Sequence, residues 1–232
     1  MKKSLLTVPL QYKRASDISK IIKKLPEEVE AYEVWIDQFM KTDLKASVIS
    51  SAVQEWLELS KKKLIVVCKD PEEHGGFSGS TSQKLKLLQA AAAAGAHYVD
   101  LGFHSGAKAL ETLKKGKKKS KLIISHHDFE KTPDIQTLEK LAEKMGHFKP
   151  DVLKLATMVH EPEDTERLME LAVKLKEEKQ KHIILGMGQL GVTTRIFSDQ
   201  IGNEFNFVTL ESKTAPGQLS LEQALQFRSV IE

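Results

Sequence analysis

A regular alternation constrains this chain more than any single motif. Short apolar runs, rich in Val, Ile and Leu, are each followed by a longer segment whose apolar residues recur at helical spacing. The runs cover residues 4–10, 31–36, 64–68, 97–101, 121–125, 152–156, 182–186 and 205–210. Helices are predicted over 15–25, 44–59, 82–94, 108–115, 135–145, 162–178, 192–198 and 221–230. Asp43 is placed to cap the second of these helices and Gly95 to close the third. Strand alternating with helix predicts a parallel sheet with right-handed crossovers. Eight units in 232 residues suit a closed (β/α)8 barrel, which takes about 250 residues. An open doubly wound sheet is the rival. It would carry a glycine-rich phosphate loop after the first strand, and Gln11-Tyr12-Lys13-Arg14 is not one. No shift in composition marks a boundary, so residues 1–232 are read as a single α/β barrel domain.

Charge and cysteine content exclude several classes of function. The 35 basic and 32 acidic residues nearly cancel, at a net charge of +3, and no nucleic-acid partner is expected. Lys61-Lys62-Lys63, Lys117-Lys118-Lys119 and Lys179-Gln180-Lys181 each follow a helix and precede a strand. There they complement helix C-termini and keep the N-terminal barrel face soluble. The only cysteine, Cys68, lies in an apolar run. It reads as a buried strand residue of a protein from the reducing cytoplasm. Met1-Lys2-Lys3-Ser4-Leu5-Leu6 briefly resembles a secretion signal, but Pro9 breaks it. No apolar run reaches the roughly twenty residues of a membrane helix.

In a barrel the chemistry gathers at the C-terminal ends of the strands. Those ends offer Glu33 and Asp37, Lys69, His126 and His127, Lys154, and Arg195 beyond Met187, with Thr214 and Gln218 after the last strand. Lys154 stands inside the apolar run Val152-Leu153-Lys154-Leu155-Ala156. A buried lysine is either ion-paired or a desolvated amine ready to attack a carbonyl. A histidine nearby is either a satisfied structural group or an acid–base catalyst. Neighbouring strand residues face opposite sides, so only one of His126 and His127 faces the pocket, which argues against a metal held by both.

Four blocks resemble the type I 3-dehydroquinate dehydratases, in the order and spacing of that family. They are Glu33-Val34-Trp35-Ile36-Asp37, Ser125-His126-His127-Asp128-Phe129 with Thr132-Pro133, Val152-Leu153-Lys154-Leu155-Ala156, and Ala215-Pro216-Gly217-Gln218. Gly186-Met187-Gly188, with Gly191 and Thr194-Arg195, adds a fifth. The resemblance implies a (β/α)8 barrel that needs no metal and no cofactor. It implies that Lys154 forms an imine with the C3 ketone of 3-dehydroquinate. His127 moves the C2 proton, and the C1 hydroxyl leaves as water. Arg195 and Gln218 hold the substrate carboxylate, and Glu33 binds ring hydroxyls. Lys69 and Thr214 stand where the family has substrate-binding arginine and serine. The small-molecule substrate is the partner expected, with no membrane, and a homodimer is left open.

Besides Thr214, the chain departs from the family's pattern in four places. Trp35 and Lys69 stand where arginines are usual. His74 precedes Gly75-Gly76, where a glutamate that orients the catalytic histidine is usual, leaving Glu73 as a substitute. Asp100-Leu101-Gly102 replaces Asp-Leu-Glu at the fourth strand end. These changes leave two further readings open: an imine-forming lyase or aldolase acting on another hydroxy-ketone, and a non-catalytic paralogue. Retention of both Lys154 and His127 counts against the second.

Overall fold

The computed structural model describes residues 2–210 and 215–231. Over these residues the chain forms two compact units, Pro9–Ile124 and Met1–Val8 with Ser125–Glu232. Strands β1 (Leu5–Leu10) and β5 (Lys121–Asp128) run through the points where the units divide.

The Pro9–Ile124 unit alternates α1 (Ala15–Ile22), β2 (Ala31–Trp35), α2 (Ala46–Leu59), β3 (Lys63–Val67), α3 (Thr81–Ala93), β4 (Tyr98–Gly102) and α4 (Ala107–Gly116). β3 pairs in parallel with β2 and β4, Glu33 lying opposite Ile65 and Val67 opposite Asp100. Leu64, Ile65, Val66 and Val67 are buried, as expected of a parallel strand covered on both faces. Trp56, Leu88 and Leu113 come in from the helices. Ser80 caps α3 with a full capping box to Gln83. Gly95 follows that helix at φ +104°. Asp43 does not cap α2: the helix starts two residues later than expected, with Lys45 at the N-cap. Cys68 is buried, as the sequence implied.

The second unit carries β6 (Val152–Met158), β7 (His182–Met187), β8 (Phe205–Thr209) and the two-residue β9 (Leu219–Ser220). Its helices are α5 (Ile135–Gly146), α6 (Pro162–Glu177), α7 (Thr193–Ile196), α8 (Ser198–Ile201) and α9 (Leu221–Ile231). β6 lies beside β5 and pairs with β7 from Leu153 opposite His182 to Met158 opposite Met187. β8 pairs in parallel with β1 and with β9. Pro162 opens α6, with acids in its first turn and lysines in its last, as the helix dipole favours. Lysines of two of the clusters bond to loop carbonyls beyond the helix ends, and not to the last carbonyls of a helix as expected. Lys62 donates to the carbonyls of Pro26, Glu27 and Val29, and Lys117 to that of Ser120. No helix among the described residues is long and apolar enough to cross a membrane.

Candidate active site

Lys154 is third in β6, and only 5% of it is exposed. Its Nζ lies 4.4 Å from the centroid of the Phe207 ring on β8. The aromatic face steadies an ammonium and also keeps water off the amine. β5 continues past Ser125 to Asp128, so both histidines are strand residues rather than the start of a loop. His127 stacks on Phe129, with ring centroids 5.8 Å apart and planes 10° from parallel. Phe129 is the first residue past the end of β5, and the stack holds the His127 ring against it. The loop beyond is held locally. Asp128 accepts from the N–H groups of Glu130 and Lys131. Thr132 donates to the Met158 carbonyl and shares a hydrogen bond with Thr157 at 2.8 Å, tying the loop to β6.

Arg195 lies on the single turn of α7 and is 2% exposed. Thr194 anchors this turn: its Oγ1 donates to the Gly191 carbonyl and accepts from Gly186 N–H at 2.9 Å. Asn206 donates to the Arg195 carbonyl. Among the described residues Arg195 pairs with no carboxylate, and its Nε has no hydrogen-bond partner. Burial pulls its guanidinium down to about 10, which leaves it charged at neutral pH. A buried cation in this condition is a strong receptor for an anion. The loops after β7 and β8 are joined, since Gly188 donates to the Pro216 carbonyl. Gln218, buried, follows directly and leads into β9. Thr214 lies outside the described residues.

The Pro9–Ile124 unit holds a polar cluster. Glu33 and Trp35 share a face of β2, and the indole Nε1 donates to Glu33 Oε2 at 2.7 Å. Lys69, 1% exposed, reaches Glu73 at 3.1 Å and Asp100 at 3.0 Å. Burial acts to lower its pKa, but the carboxylates of Asp100, Glu73 and Glu33 outweigh burial and hold the ammonium above the ordinary lysine range. Glu73 is itself buried. His74 sits at φ 59°, in the left-handed turn that ends the short 3-10 helix Pro71–Glu73. Glu73 lies four residues after Lys69 and points back to its ammonium. Gly75 is obligatory, because a Cβ on it would lie 2.1 Å from the Lys69 carbonyl oxygen. Asp37 fastens this loop, accepting from Lys69 N–H and Gly76 N–H. Burial pushes its carboxyl up despite these bonds and one from Gln38.

The structure brings Lys69, Glu73 and Asp100 together beside Glu33 and Trp35 in one unit, and carries Lys154, His127, Arg195 and Gln218 in the other. Sequence reasoning did not single out Phe207 under Lys154 or the Asp70–His104 contact. Strand alternation carried a signal for Phe207, whereas His104 reaches Asp70 only through tertiary structure, at 34 residues' separation.

Comparison with known proteins agrees along the chain. The model of the type I 3-dehydroquinase family matches residues 6–232. A 3-dehydroquinate dehydratase of Dehalococcoides mccartyi is 32% identical over 194 residues, covering 81% of this chain and 85% of that one. One from Coxiella burnetii is 30% identical over 215 residues, with 90% and 89% covered. Among solved structures, type I 3-dehydroquinate dehydratase from Clostridium difficile, with covalent modified comenic acid, superposes at a TM-score of 0.92. It is 22% identical, with 100% of this chain and 93% of that one covered. The enzyme from Geobacillus kaustophilus gives 0.88 at 19% identity, covering 99% and 91%. The fold class is therefore α/β of the (β/α)8 barrel type.

Proposed function

The chain belongs to the type I 3-dehydroquinase family, and from that premise we propose that it dehydrates 3-dehydroquinate to 3-dehydroshikimate, with residues 1–232 acting as one barrel domain. The observation that carries this reading is the buried amine of Lys154, inside a strand and against an aromatic ring, in a chain that matches the family over residues 6–232.

Lys154, as the neutral amine, attacks the C3 ketone, and loss of water gives the imine. The imine draws electrons from C3 and acidifies the C2 proton, which His127 takes. His127 returns that proton to the C1 hydroxyl, which leaves as water, and hydrolysis of the imine frees Lys154. Substrate and product differ by one water, so no redox cofactor is needed. Arg195, a buried cation without a carboxylate of its own among the described residues, takes the substrate carboxylate together with Gln218. Thr214 adds a hydroxyl by resemblance alone. Glu33 takes ring hydroxyls, its carboxylate set by Trp35. Lys69 serves the substrate through the carboxylates it fixes, and Glu73 takes the histidine-orienting role. The cytoplasm suits both the metabolite and the free thiol.

The test is the ultraviolet absorbance of the dehydroshikimate enone, followed after addition of 3-dehydroquinate. Steady growth of that band supports the reading. A flat trace at high enzyme concentration would turn the assignment toward another hydroxy-ketone.

A further inference from the structure

Gly102 ends β4 at φ −62° and ψ 137°, an extended conformation open to any residue. Its missing side chain therefore reflects space and not backbone. A Cβ there would lie 2.3 Å from His104 Cε1, 2.6 Å from His104 Nδ1 and 2.8 Å from Glu73 Oε2. These distances fall well inside van der Waals contact. The imidazole and the carboxylate fill the room that a side chain at position 102 would take. Gly102 and His104 are thus one feature.

A hydrogen bond holds the ring in that space. His104 Nε2 is 2.9 Å from Asp70 Oδ2 and 3.8 Å from Glu73 Oε2. An ionised carboxylate only accepts, so Nε2 carries a hydrogen and donates it to Asp70. Lys84 of α3 pairs with the same Asp70 oxygen, and Lys69 holds Glu73 Oε1 and Asp100. His104 therefore faces one carboxylate from the loop after β3 and another from the short 3-10 helix Pro71–Glu73, each with an ammonium behind it. Roughly a third of the His104 side chain is exposed, against 5% for Glu73. A ring with a third of its surface exposed, inserted between two anchored carboxylates, adds little to the core, so a role in packing does not account for it.

We propose that His104 is a positioning residue for the dehydration: from the space left by Gly102 it fixes Asp70 and Glu73. This rests on the dehydratase reading, in which Glu73 orients the catalytic histidine. A well-placed Glu73 governs proton transfer rather than grip on the substrate, so the effect belongs in kcat. The same three residues bring one ligand atom each within 4.8 Å of one another, a spacing that also suits a cation. The ammoniums of Lys84 and Lys69 already occupy two of those carboxylates, and their repulsion disfavours a metal there.

The experiment compares wild type, His104→Ala, His104→Gln and Gly102→Ala on 3-dehydroquinate, with melting temperatures to confirm folding. His104→Ala should lower kcat about tenfold and leave KM within about twofold, the scale of one hydrogen bond to a charged group acting at one remove. His104→Gln should restore most of kcat, because its amide N–H replaces Nε2–H. Gly102→Ala should reproduce the loss by displacing the ring, so the proposal survives a failure of His104→Ala to fold. Equal kcat in wild type and His104→Ala would overturn it, as would a change confined to KM. Stoichiometric binding of Mg2+ or Zn2+ to wild type, lost in His104→Ala, would make the triad a metal site instead. A wild type without turnover would remove the dehydratase reading and this proposal together, an outcome distinct from an active enzyme indifferent to His104.

Discussion

Replacing Lys69 by methionine tests the physical reading of the strand-end cluster. Methionine keeps most of the stem's volume and removes the charge. Lys69, Glu73 and Asp100 have side chains 2%, 5% and 0% exposed. The substitution therefore removes the ammonium between two buried carboxylates. Breaking a buried pair from one side costs about 3–5 kcal/mol, enough to raise the unfolded fraction by roughly a hundredfold to several thousandfold. The pH dependence follows from the direction of the shift. Folding holds the Lys69 ammonium above its ordinary range, so its stabilisation is complete below the unfolded value of about 10.4. That stabilisation is lost only as pH rises through the still higher folded value. Across neutral pH the deficit of Lys69→Met should therefore be flat. It should narrow toward acid pH, as the two carboxylates take up protons. Urea denaturation at several pH values, with the slope checked for two-state behaviour, gives both quantities. A loss below about 1 kcal/mol, the scale of an exposed pair, would refute the argument and imply that water reaches the cluster.

Three further substitutions probe the proposed roles. Trp35→Phe keeps the ring but removes the N–H held by Glu33 Oε2; steady-state kinetics should show KM raised roughly tenfold or more, the worth of one hydrogen bond to a charged group. Arg195→Lys keeps the charge but loses the planar fork; kcat/KM should drop at least about tenfold, with most of the change in KM. His127→Ala should cost at least about a hundredfold in kcat, as loss of acid–base catalysis does, and His126→Ala far less. Reversed losses in that pair would mean that the strand presents the other histidine.

The fold was legible because its period is coarse and repeated. Buried parallel strands need apolar runs such as Leu64-Ile65-Val66-Val67, and helices between them need a second spacing; both survive local irregularities. The element ends were less legible. β5 runs on through two histidines, because residues in a ladder need not be apolar at the strand's end. Asp43 resembled a cap, but the chain makes a turn at Met40–Asp43 first, and α2 begins after it. Within the site, the family blocks marked Lys154, His127 and Arg195 by position alone. The roles of the substituted residues were hidden. That Trp35 holds Glu33 follows from strand alternation, but that Lys69 serves Asp100 requires knowing that β3 lies against β4. Pairing between distant strands is a tertiary fact that no local spacing announces.

The central claim is the covalent role of Lys154, and one measurement meets it directly. The protein is incubated with 3-dehydroquinate and borohydride, digested, and mapped by mass spectrometry. The account predicts loss of activity together with a reduced adduct on the peptide that contains Lys154, absent when either substrate or borohydride is left out. An adduct on Lys69 or another lysine, or full turnover with no adduct on any peptide, would contradict it.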